Sequence, residues 1–324
     1  MVHSLSRIFA ALLLPCALAA APARAQGDYP NKPVLLVICF GAGGGLDVVG
    51  RIVADRLTKN IGRQIVVENR PGAGGNIGTA SVVKAPADGY TLLETTNSYN
   101  INPFLYRNPG YDPRRDFVPV IELTRAPSVI VVPPKSTIRS VKELIAAARA
   151  APGNFVYGSA GNGSPTNIAM ELFKAAAGID ITHVPYKTAA QANQDVTGGQ
   201  IPLAMAALPS VITLIRGGLL YPLAVTSDKR WPTLPEVPTA AETVPGYSHL
   251  TWIGIVAPVG TPAAIVARLN KEIAAVLALP EVRARIADNG AEPVGSSAAD
   301  FAAVLSAEYD STAALAQRIK FELE

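Results

Sequence analysis

Residues 34–57 decide the fold class, and they read VLLVICFGAGGGLDVVGRIVADRL. The apolar run Val34–Cys39 is typical of a buried β-strand, and the glycines of Gly41–Gly45 predict a loop directly after it. Apolar residues then recur at the spacing of one helix face, and this helix is expected to end near Asn60–Gly62. A strand, a glycine loop and a helix in this order indicate an α/β protein with a parallel sheet.

The same unit recurs along the chain, which predicts two α/β lobes, each a mostly parallel sheet flanked by helices. We expect lobe 1 to comprise residues 26–126 and 250–324, and lobe 2 to comprise residues 127–249. Two chain crossings, near Ala126–Ser128 and His249–Trp252, would then join the lobes and act as hinges beside a cleft. A single large doubly wound sheet is the alternative arrangement.

Three local patterns predict where regular structure stops or starts. The stretch Asn102–Pro119 is rich in Pro, Gly and Asp and is expected to form a long surface connection before a strand at Ser128–Val132. The four prolines of Pro232–Pro245 predict an irregular segment. Thr261 is expected to cap a long helix, with Pro262 at its first position.

Composition excludes several classes of protein. The 324 residues include 49% hydrophobic and 16% charged residues, a balance that excludes disordered, collagen-like and coiled-coil chains. The net charge is +3, from 28 basic and 25 acidic residues, and no run of five basic residues occurs. No basic stripe of the kind that binds nucleic acid is present, so no nucleic-acid partner is expected.

The first 25 residues have the layout of a secretory signal peptide. Arg7 precedes an apolar run from Ile8 to Ala20, and Ala23–Ala25 forms an A-x-A cleavage site. We therefore expect cleavage after Ala25 and a secreted protein. Lipidation of Cys16 is an alternative, although Pro15 before it fits a lipobox poorly.

Two glycine loops are the candidate binding elements: Gly41–Gly45 and Gly161–Ser164, each at the head of a helix. Glycine permits positive φ and a close approach of a ligand to backbone N–H groups. A helix start adds unpaired donors and a partial positive charge, and together these favour an anion. We expect the backbone at Gly44 and Gly163 to be required for this reason. Tight turns without a ligand are an equally good explanation of either loop alone.

Motifs for nucleotide binding and hydrolysis are missing. Leu46 and Thr166 stand where G-x-G-x-x-G requires its last glycine, and neither G-x-x-x-x-G-K-[ST] nor G-x-S-x-G occurs. Cys39 is expected to be a buried, inert thiol, since a nucleophilic or zinc-binding role would need partners that the few histidines do not supply. No enzyme activity, metal or cofactor is expected, and a cleft hydrolase or isomerase is a remote alternative.

Several polar and aromatic side chains are weaker candidates. Asp47 is expected to stabilise the start of its helix rather than contact a ligand. Lys187 can face a ligand carboxylate, and a solvated surface lysine is an equal alternative. His183 is expected to be structural. Trp252 and Phe40 are expected in the core or as walls of the cleft.

Seven segments occur in an order that is specific as a set: FGAGGGLD (40–47), VVENRPGAGG (66–75), PADGYTLL (86–93), YGSAGNGS (157–164), HVPYK (183–187), LAVTS (223–227) and WIGIVAPVGTP (252–262). In these segments the chain resembles the Bug proteins, the periplasmic solute-binding components of tripartite tricarboxylate transporters. The resemblance implies a two-lobed periplasmic binding protein of type II, a Venus flytrap. It also implies a monomer whose partners are a small carboxylate and the large and small membrane subunits of a permease.

In that family two loops hold a ligand carboxylate like pincers, largely through backbone amides and ordered water. The loops correspond here to Phe40–Asp47 and Ser159–Pro165. The ligand-binding residues that the resemblance implies are Phe40, Ala42, Gly43, Gly44, Gly45, Leu46, Asp47, Asn97, Ser159, Ala160, Gly161, Asn162, Gly163, Ser164, Lys187 and Ala206.

Departures from the family pattern bear on the ligand. Leu46 replaces a Thr or Ser and removes a hydroxyl donor from the first loop, and Ala206 lies where many members carry Asp. A buried ammonium group needs a counter-charge. We therefore expect a mono- or dicarboxylate with an apolar or aromatic body, rather than an amino acid or citrate. An orphan or sensory binding protein that feeds a signalling system is the alternative to a transport receptor, and neighbouring genes would distinguish the two.

Overall fold

The computed structural model describes residues 29–153 and 155–318. The predicted signal peptide and the lipidation alternative lie outside these residues. The helices and strands follow in chain order: β1 (Val34–Ile38), α1 (Gly45–Ile61), β2 (Ile65–Asn69), α2 (Asn76–Val83), β3 (Thr91–Thr96), α3 (Ser98–Leu105), β4 (Phe117–Val132), α4 (Val141–Ala150), β5 (Val156–Ser159), α5 (Pro165–Ala177), β6 (Thr182–Pro185), α6 (Ala189–Thr197), β7 (Ala204–Ala207), α7 (Leu208–Arg216), β8 (Tyr221–Val225), β9 (Leu250–Pro258), α8 (Ala263–Ala278), α9 (Pro280–Asp288), β10 (Glu292–Pro293) and α10 (Ala298–Arg318).

Two sheets share the long strand β4. Sheet A has the order β2-β1-β3-β9-β4, with β10 on the first half of β4. Sheet B contains β7, β5 and β6, with β8 also paired to the second half of β4. The change of partner falls between Pro127, which pairs with Leu250 of β9, and Ser128, which pairs with Ala207 of β7. We call the elements on sheet A lobe 1 and those on sheet B lobe 2; the exact lobe boundaries given above stay a prediction.

The α/β class is confirmed, but the sheets are mixed rather than mostly parallel. β1 runs parallel to β2 and β3, and β5 runs parallel to β6 and β7. β4 and β9 are antiparallel to every strand they pair with among the described residues. β4 carries the chain from lobe 1 into lobe 2, and β9 carries it back in the opposite direction. The two strands therefore cannot both be parallel to their neighbours, as strands joined by strand–helix–strand units are.

Three hydrophobic clusters account for the cores. One cluster fills lobe 1, from Leu36 on β1 to Phe301 on α10. The other two cover opposite faces of sheet B, one around Phe173 and Tyr157 and the other around Val129 and Val211. Burial of sheet B on both faces is what the continuous apolar runs of its strands predict. No helix in the described residues is both long enough and apolar enough to cross a membrane.

The surface connection predicted for Asn102–Pro119 is wrong at both ends. Its start belongs to α3, and its end is the first part of β4. Helix α3 contains Pro103 and is rich in Asn, so its sequence shows no helical signal. Tertiary hydrogen bonds hold it instead: Asn100 donates to the carbonyl of Leu305 over 2.9 Å, and Asn102 donates to the carbonyl of Gly74 over 2.9 Å.

The predicted cap of the long helix α8 is also wrong. The Thr261 hydroxyl donates to the carbonyl of Pro258 over 2.7 Å, and Pro262 rather than Thr261 occupies the cap position. Within the segment Pro232–Pro245, a short 3-10 turn at Ala240–Glu242 is held by a capping box from Thr239. The helix and strand predictions elsewhere agree with the structure to within a few residues.

The two strands that cross between the lobes are tied to lobe 2 by one buried threonine. The Thr226 hydroxyl accepts from the amide of Ser128 over 2.8 Å and donates to the carbonyl of His249 over 2.7 Å. On the lobe 1 side, Glu308 of α10 accepts from the indole N–H of Trp252 over 2.9 Å and from the side-chain amide of Asn97 over 2.6 Å. The crossing region is thus held from both sides by polar side chains in a buried setting.

Burial lowers the pKa of His249 from 6.5 to about 4. The folded protein therefore holds this ring neutral while the unfolded chain takes up a proton near pH 6.5, so the ring's contribution is present above pH 6.5 and is lost as the pH falls towards 4. We predict that, as the pH falls from 6.5 towards 4, the free energy of unfolding of His249→Leu relative to wild type rises by about 1.4 kcal/mol per pH unit. Urea unfolding at pH 7.5 and pH 5 measures this, and an equal difference at both values would contradict it.

Candidate functional site

The first glycine loop, Phe40–Asp47, is held in shape by the end of β2 and by its own helix. Asp47 accepts from the amide of Gly43 over 3.0 Å and from the guanidinium of Arg51 over 2.8 Å. Asn69 donates to the carbonyl of Phe40 over 2.9 Å. No side chain caps the start of α1 at Gly44. The first turn of α1 therefore keeps uncapped backbone donors, although the Asp47 carboxylate, paired with Arg51, lies in the same turn.

The second glycine loop, Ser159–Pro165, satisfies most of its amides internally. The amide of Gly161 donates to the Ser159 hydroxyl over 3.1 Å, and the amide of Gly163 donates to the side-chain oxygen of Asn167 over 3.0 Å. Ser164 caps α5 by accepting from the amide of Asn167 over 3.2 Å. In this arrangement the second loop offers fewer unused backbone donors than the first loop.

A network behind the second loop fixes its shape. The His183 Nε2 lies 2.6 Å from the Ser159 hydroxyl, and Asn167 Nδ2 lies 3.3 Å from His183 Nδ1 and 2.8 Å from the hydroxyl of Tyr157. Burial lowers the pKa of His183 to about 4, so the ring is neutral near pH 7. Because its Nδ1 faces an amide and not a carboxylate, the pair with Ser159 lacks the third member of a hydrolytic triad. The structural role predicted for His183 agrees with these contacts.

A cavity lies between the lobes, under both glycine loops. The first glycine loop, the crossing strands β4 and β9 and the starts of α5, α6 and α7 form its walls. The residues that line it are Phe40, Gly41, Gly44, Gly45, Leu46, Ala126, Pro127, Ala160, Pro165, Thr166, Lys187, Thr188, Ala189, Ala207, Pro209, Thr251 and Ile253. Most of these are apolar, Lys187 is exposed at the rim, and no Asp or Glu is among them.

The lobes also touch each other outside the cavity. The hydroxyl of Tyr106 on lobe 1 donates to the carbonyl of Asn162 in the second loop over 3.1 Å. Gly163 has φ +68°, and a Cβ at this position would lie 2.5 Å from Oδ1 of Asn102 on α3. The second loop therefore rests directly on lobe 1, which makes the arrangement of the lobes a closed one.

Comparison with known proteins identifies this architecture. A family model described as the tripartite tricarboxylate transporter family receptor matches residues 49–321. The chain belongs to this family. The receptor is 35% identical to the protein BugT of Bordetella pertussis over 295 residues, which cover 90% of each chain. These findings confirm the resemblance to the Bug proteins.

Two solved structures of relatives contain a bound acid. Rpa4515 of R. palustris with adipate is 39% identical to the receptor, with a TM-score of 0.86, and the match covers 90% of this chain and 98% of the other. MatC of Rhodopseudomonas palustris with bound malate is 29% identical, with a TM-score of 0.83, over 88% of this chain and 98% of the other. The two-lobed fold of a periplasmic binding protein is confirmed, and the matched family is one of transporter receptors rather than of enzymes.

The structure brings six of the residues predicted for the site together in the cavity wall: Phe40, Gly44, Gly45, Leu46, Ala160 and Lys187. Four more belong to the supporting structure of the two loops through the bonds given above: Asp47, Ser159, Gly161 and Ser164. Asn162 and Gly163 face lobe 1 rather than the cavity. Ala42 and Gly43 are exposed and do not line the cavity.

Two predicted contacts lie elsewhere. Ala206 is buried in the cluster around Val211, and its neighbour Ala207 lines the cavity instead, because side chains alternate between the two faces of β7. The side chain of Asn97 is engaged with Glu308 and with the amide of Trp252. It therefore belongs to the crossing region and does not line the cavity.

The conformational reason given for Gly44 is wrong. Gly44 has φ −80° and ψ 171°, which any residue adopts, and the left-handed residue of the first loop is Gly43, with φ +78°. The reason given for Gly163 agrees with its φ of +68°. Gly44 nevertheless stays a candidate contact because it lines the cavity at the start of α1.

Sequence reasoning missed the cavity residues contributed by other elements, namely Ala126, Pro127, Thr166, Thr188, Ala189, Ala207, Pro209, Thr251 and Ile253. Pro209 is the second residue of α7, a position that suits proline, and could have indicated the helix start at this edge of the sheet. Thr251 carries no local signal. The thiol of Cys39 is fully buried, and burial raises its pKa to about 12, in agreement with an inert role.

One buried acid beneath the first loop also escaped sequence reasoning. Glu94, in the second half of β3, packs against Gly50 of α1, and neither carboxyl oxygen has a hydrogen-bond partner in the described part of the chain. Burial, and secondly the negative charge of Asp47, raises the pKa of Glu94 well above its usual value. The receptor therefore carries a carboxyl group that is stabilised as the neutral acid. Within the described residues no group of three or more His, Cys, Asp or Glu is placed to hold a metal ion.

Proposed function

We propose that the receptor captures a small organic carboxylate in the interlobe cavity and delivers it to the large and small membrane subunits of a tripartite tricarboxylate-type permease. One observation carries the proposal: the start of α1 lines the cavity, no side chain caps it, and no acidic side chain lines the cavity. The backbone donors and the dipole of this helix start favour binding of one anionic group of the ligand at that position.

The nature of the lining supports a ligand with an apolar body. Phe40, Leu46, Pro209 and Ile253 surround the space beside the α1 start. An α-ammonium group in this cavity would have no carboxylate to neutralise it among the lining residues, and burying an unpaired charge is costly. The ligand is therefore a mono- or dicarboxylate with an apolar or aromatic body, not an amino acid.

The relatives support a small carboxylate as the ligand. Adipate and malate, the acids bound in the two relatives described above, are both small carboxylates. Membership in a transporter-receptor family supports delivery to a permease. We also propose that the signal peptide is cleaved after Ala25, so that the mature receptor acts in the periplasm.

A thermal-shift comparison tests the proposal. Purified mature receptor is heated with short aliphatic and aromatic acids, and in parallel with aspartate, glutamate and citrate, in one buffer. A ligand at a hundredfold over its dissociation constant adds about 2.7 kcal/mol of stability, which raises the melting temperature by several degrees. Stabilisation by the first group alone is the expected result. Stabilisation by the amino acids or citrate alone would contradict the ligand class, and no stabilisation by any carboxylate would contradict the function.

A further inference from the structure

The hydrogen bonds behind the second glycine loop have a direction that follows from its backbone. The amide of Gly163 donates to Oδ1 of Asn167 over 3.0 Å, which leaves Nδ2 as the atom that faces Tyr157 and His183. The Tyr157 hydroxyl donates to Glu171 over 2.7 Å, so its oxygen accepts one Nδ2 hydrogen over 2.8 Å. The other Nδ2 hydrogen is left for Nδ1 of His183, which lies 3.3 Å away.

This direction fixes the tautomer of His183. The amide nitrogen of Asn167 can only donate, so Nδ1 of the ring must accept, and a neutral ring then carries its proton on Nε2. Burial lowers the pKa of the ring to about 4, while the charges of Glu171 and Lys174 on α5 act on it in opposite directions. Near pH 7 the ring is therefore neutral, and Nε2 donates to the hydroxyl oxygen of Ser159 over 2.6 Å.

The serine passes this constraint to the loop. Besides the ring, the Ser159 oxygen accepts from the amide of Gly161 over 3.1 Å, and its own hydrogen is directed at the carbonyl of Gly161 over 3.3 Å. Ala160, between these two residues, lines the cavity. The next residue, Asn162, accepts from the Tyr106 hydroxyl of lobe 1 over 3.1 Å. The constrained segment therefore includes a cavity wall and a contact between the lobes.

We propose that Asn167 is a positioning residue for ligand binding: its side-chain amide holds His183 in the Nε2-protonated tautomer, and the ring in turn holds the second loop in its binding shape. Asn167 is not among the residues that line the cavity, so it acts through Ser159 and Gly163 and not by touching the ligand. The effect on affinity rests on the proposed function, because it takes the interlobe cavity as the ligand site.

The variant Asn167→Asp keeps the shape of the side chain and reverses one end of it. One carboxylate oxygen still accepts from the amide of Gly163, but the other cannot donate to Nδ1 of His183 and instead favours a proton there. The ring then carries a proton on Nδ1, and its pKa rises above the wild-type value. Because the loop loses a buried hydrogen bond that shapes it, affinity should fall by about tenfold.

The matched control is Asn193→Asp. Asn193 is a buried asparagine on α6 of the same lobe, and its side-chain amide donates to Ser210 over 3.4 Å rather than to the second loop. This variant also exchanges a buried amide donor for a carboxylate, so it measures the general cost of that exchange. It should leave the tautomer of His183 unchanged.

Two measurements test the inference. NMR of the ring nitrogens in the ligand-free protein gives the tautomer, since a nitrogen that bears a proton and one that does not have well-separated resonances. Only His183 and His249 follow the predicted cleavage site, and the variant His249→Leu assigns the two rings. Calorimetric titration with hexanoate and with benzoate at pH 7 gives the affinities of the wild-type protein and of both asparagine variants.

We expect the Nε2-protonated tautomer in the wild type and in Asn193→Asp, and a protonated Nδ1 with about tenfold weaker binding in Asn167→Asp. A wild-type ring with its proton on Nδ1 overturns the inference without any variant, as does an Asn167→Asp protein that keeps the wild-type tautomer. Equal affinities in the two asparagine variants overturn the positioning role. Binding of neither acid by the wild type counts against the ligand class of the proposed function, and the tautomers then decide the inference alone.

Discussion

Replacing Gly163 by alanine should weaken carboxylate binding by tenfold or more. A Cβ at this position lies 2.5 Å from Oδ1 of Asn102 on the opposite lobe, a separation that side-chain atoms do not tolerate. Asn102 cannot simply move, since its amide group donates to the carbonyl of Gly74 and to Oδ1 of Asn76 over 2.9 and 2.8 Å. The clash can be relieved only if Asn102 loses these hydrogen bonds or the lobes separate. Loss of one buried hydrogen bond costs about 1–3 kcal/mol of free energy, which corresponds to roughly tenfold or more in affinity.

The left-handed backbone of Gly163 makes a control essential. Gly199 has φ +74° with no atom within 4 Å of an added Cβ, so Gly199→Ala introduces the same backbone strain without an interlobe clash. Both variants should lose similar stability, and only Gly163→Ala should lose affinity. Small-angle scattering at saturating ligand should show a larger radius of gyration for Gly163→Ala than for Gly199→Ala. Equal affinities in the two variants would show that the contact between Gly163 and Asn102 does not control closure.

Replacing Glu94 by glutamine should stabilise the receptor increasingly as the pH rises. The pKa of Glu94 is raised in the folded state, so the contribution of this group is fully present below the unfolded-state value and is lost as the pH rises towards the folded-state value. Glutamine does not titrate. The stability of Glu94→Gln relative to wild type should therefore rise by about 1.4 kcal/mol for each pH unit above roughly 4.5, until the pH reaches the folded-state pKa of Glu94.

Urea unfolding of both proteins at pH 5 and pH 8 measures this difference. Glu68→Gln is the matched control, because hydrogen bonds from Arg70 lower the pKa of the exposed Glu68 carboxyl. That variant can only lose stability relative to wild type as the pH rises. A stability difference for Glu94→Gln that is the same at pH 5 and pH 8 would mean that the carboxyl is ionised in the folded protein or paired in a way that the contacts at Gly50 do not indicate.

The parts of the fold that local sequence could predict are those with local causes. The strand Val34–Ile38, the first glycine loop and α1 follow from an apolar run, a glycine cluster and a helical period. Helix α3 has no such cause, since the bonds from Asn100 and Asn102 to distant residues stabilise it. The first half of β4 was obscured by Pro119, which lies at a register shift where the strand tolerates its missing N–H.

The same distinction explains the site. The glycine loops could be found in the sequence because glycines directly before a helix start are typical of an anion-binding site. The choice of Ala207 over Ala206 depends on which face of β7 meets the cavity, and an all-apolar strand does not reveal its faces. Thr251 and Glu94 become notable only because tertiary packing buries them without a partner. No spacing in the sequence encodes that condition.

The place of β9 in sheet A has a consequence for the order in which the nascent chain can fold. β9 lies between β3 and β4, and within the described residues it is the strand that joins them. When residues up to about 249 have emerged, every strand of sheet B is present. Sheet A is then still in two pieces, β2-β1-β3 and β4, with exposed edges. Lobe 2 can mature while lobe 1 still awaits its central strand. Because residues of β9 line the ligand cavity, the receptor can form this cavity only after the last quarter of the chain has emerged. The binding-competent state therefore forms last.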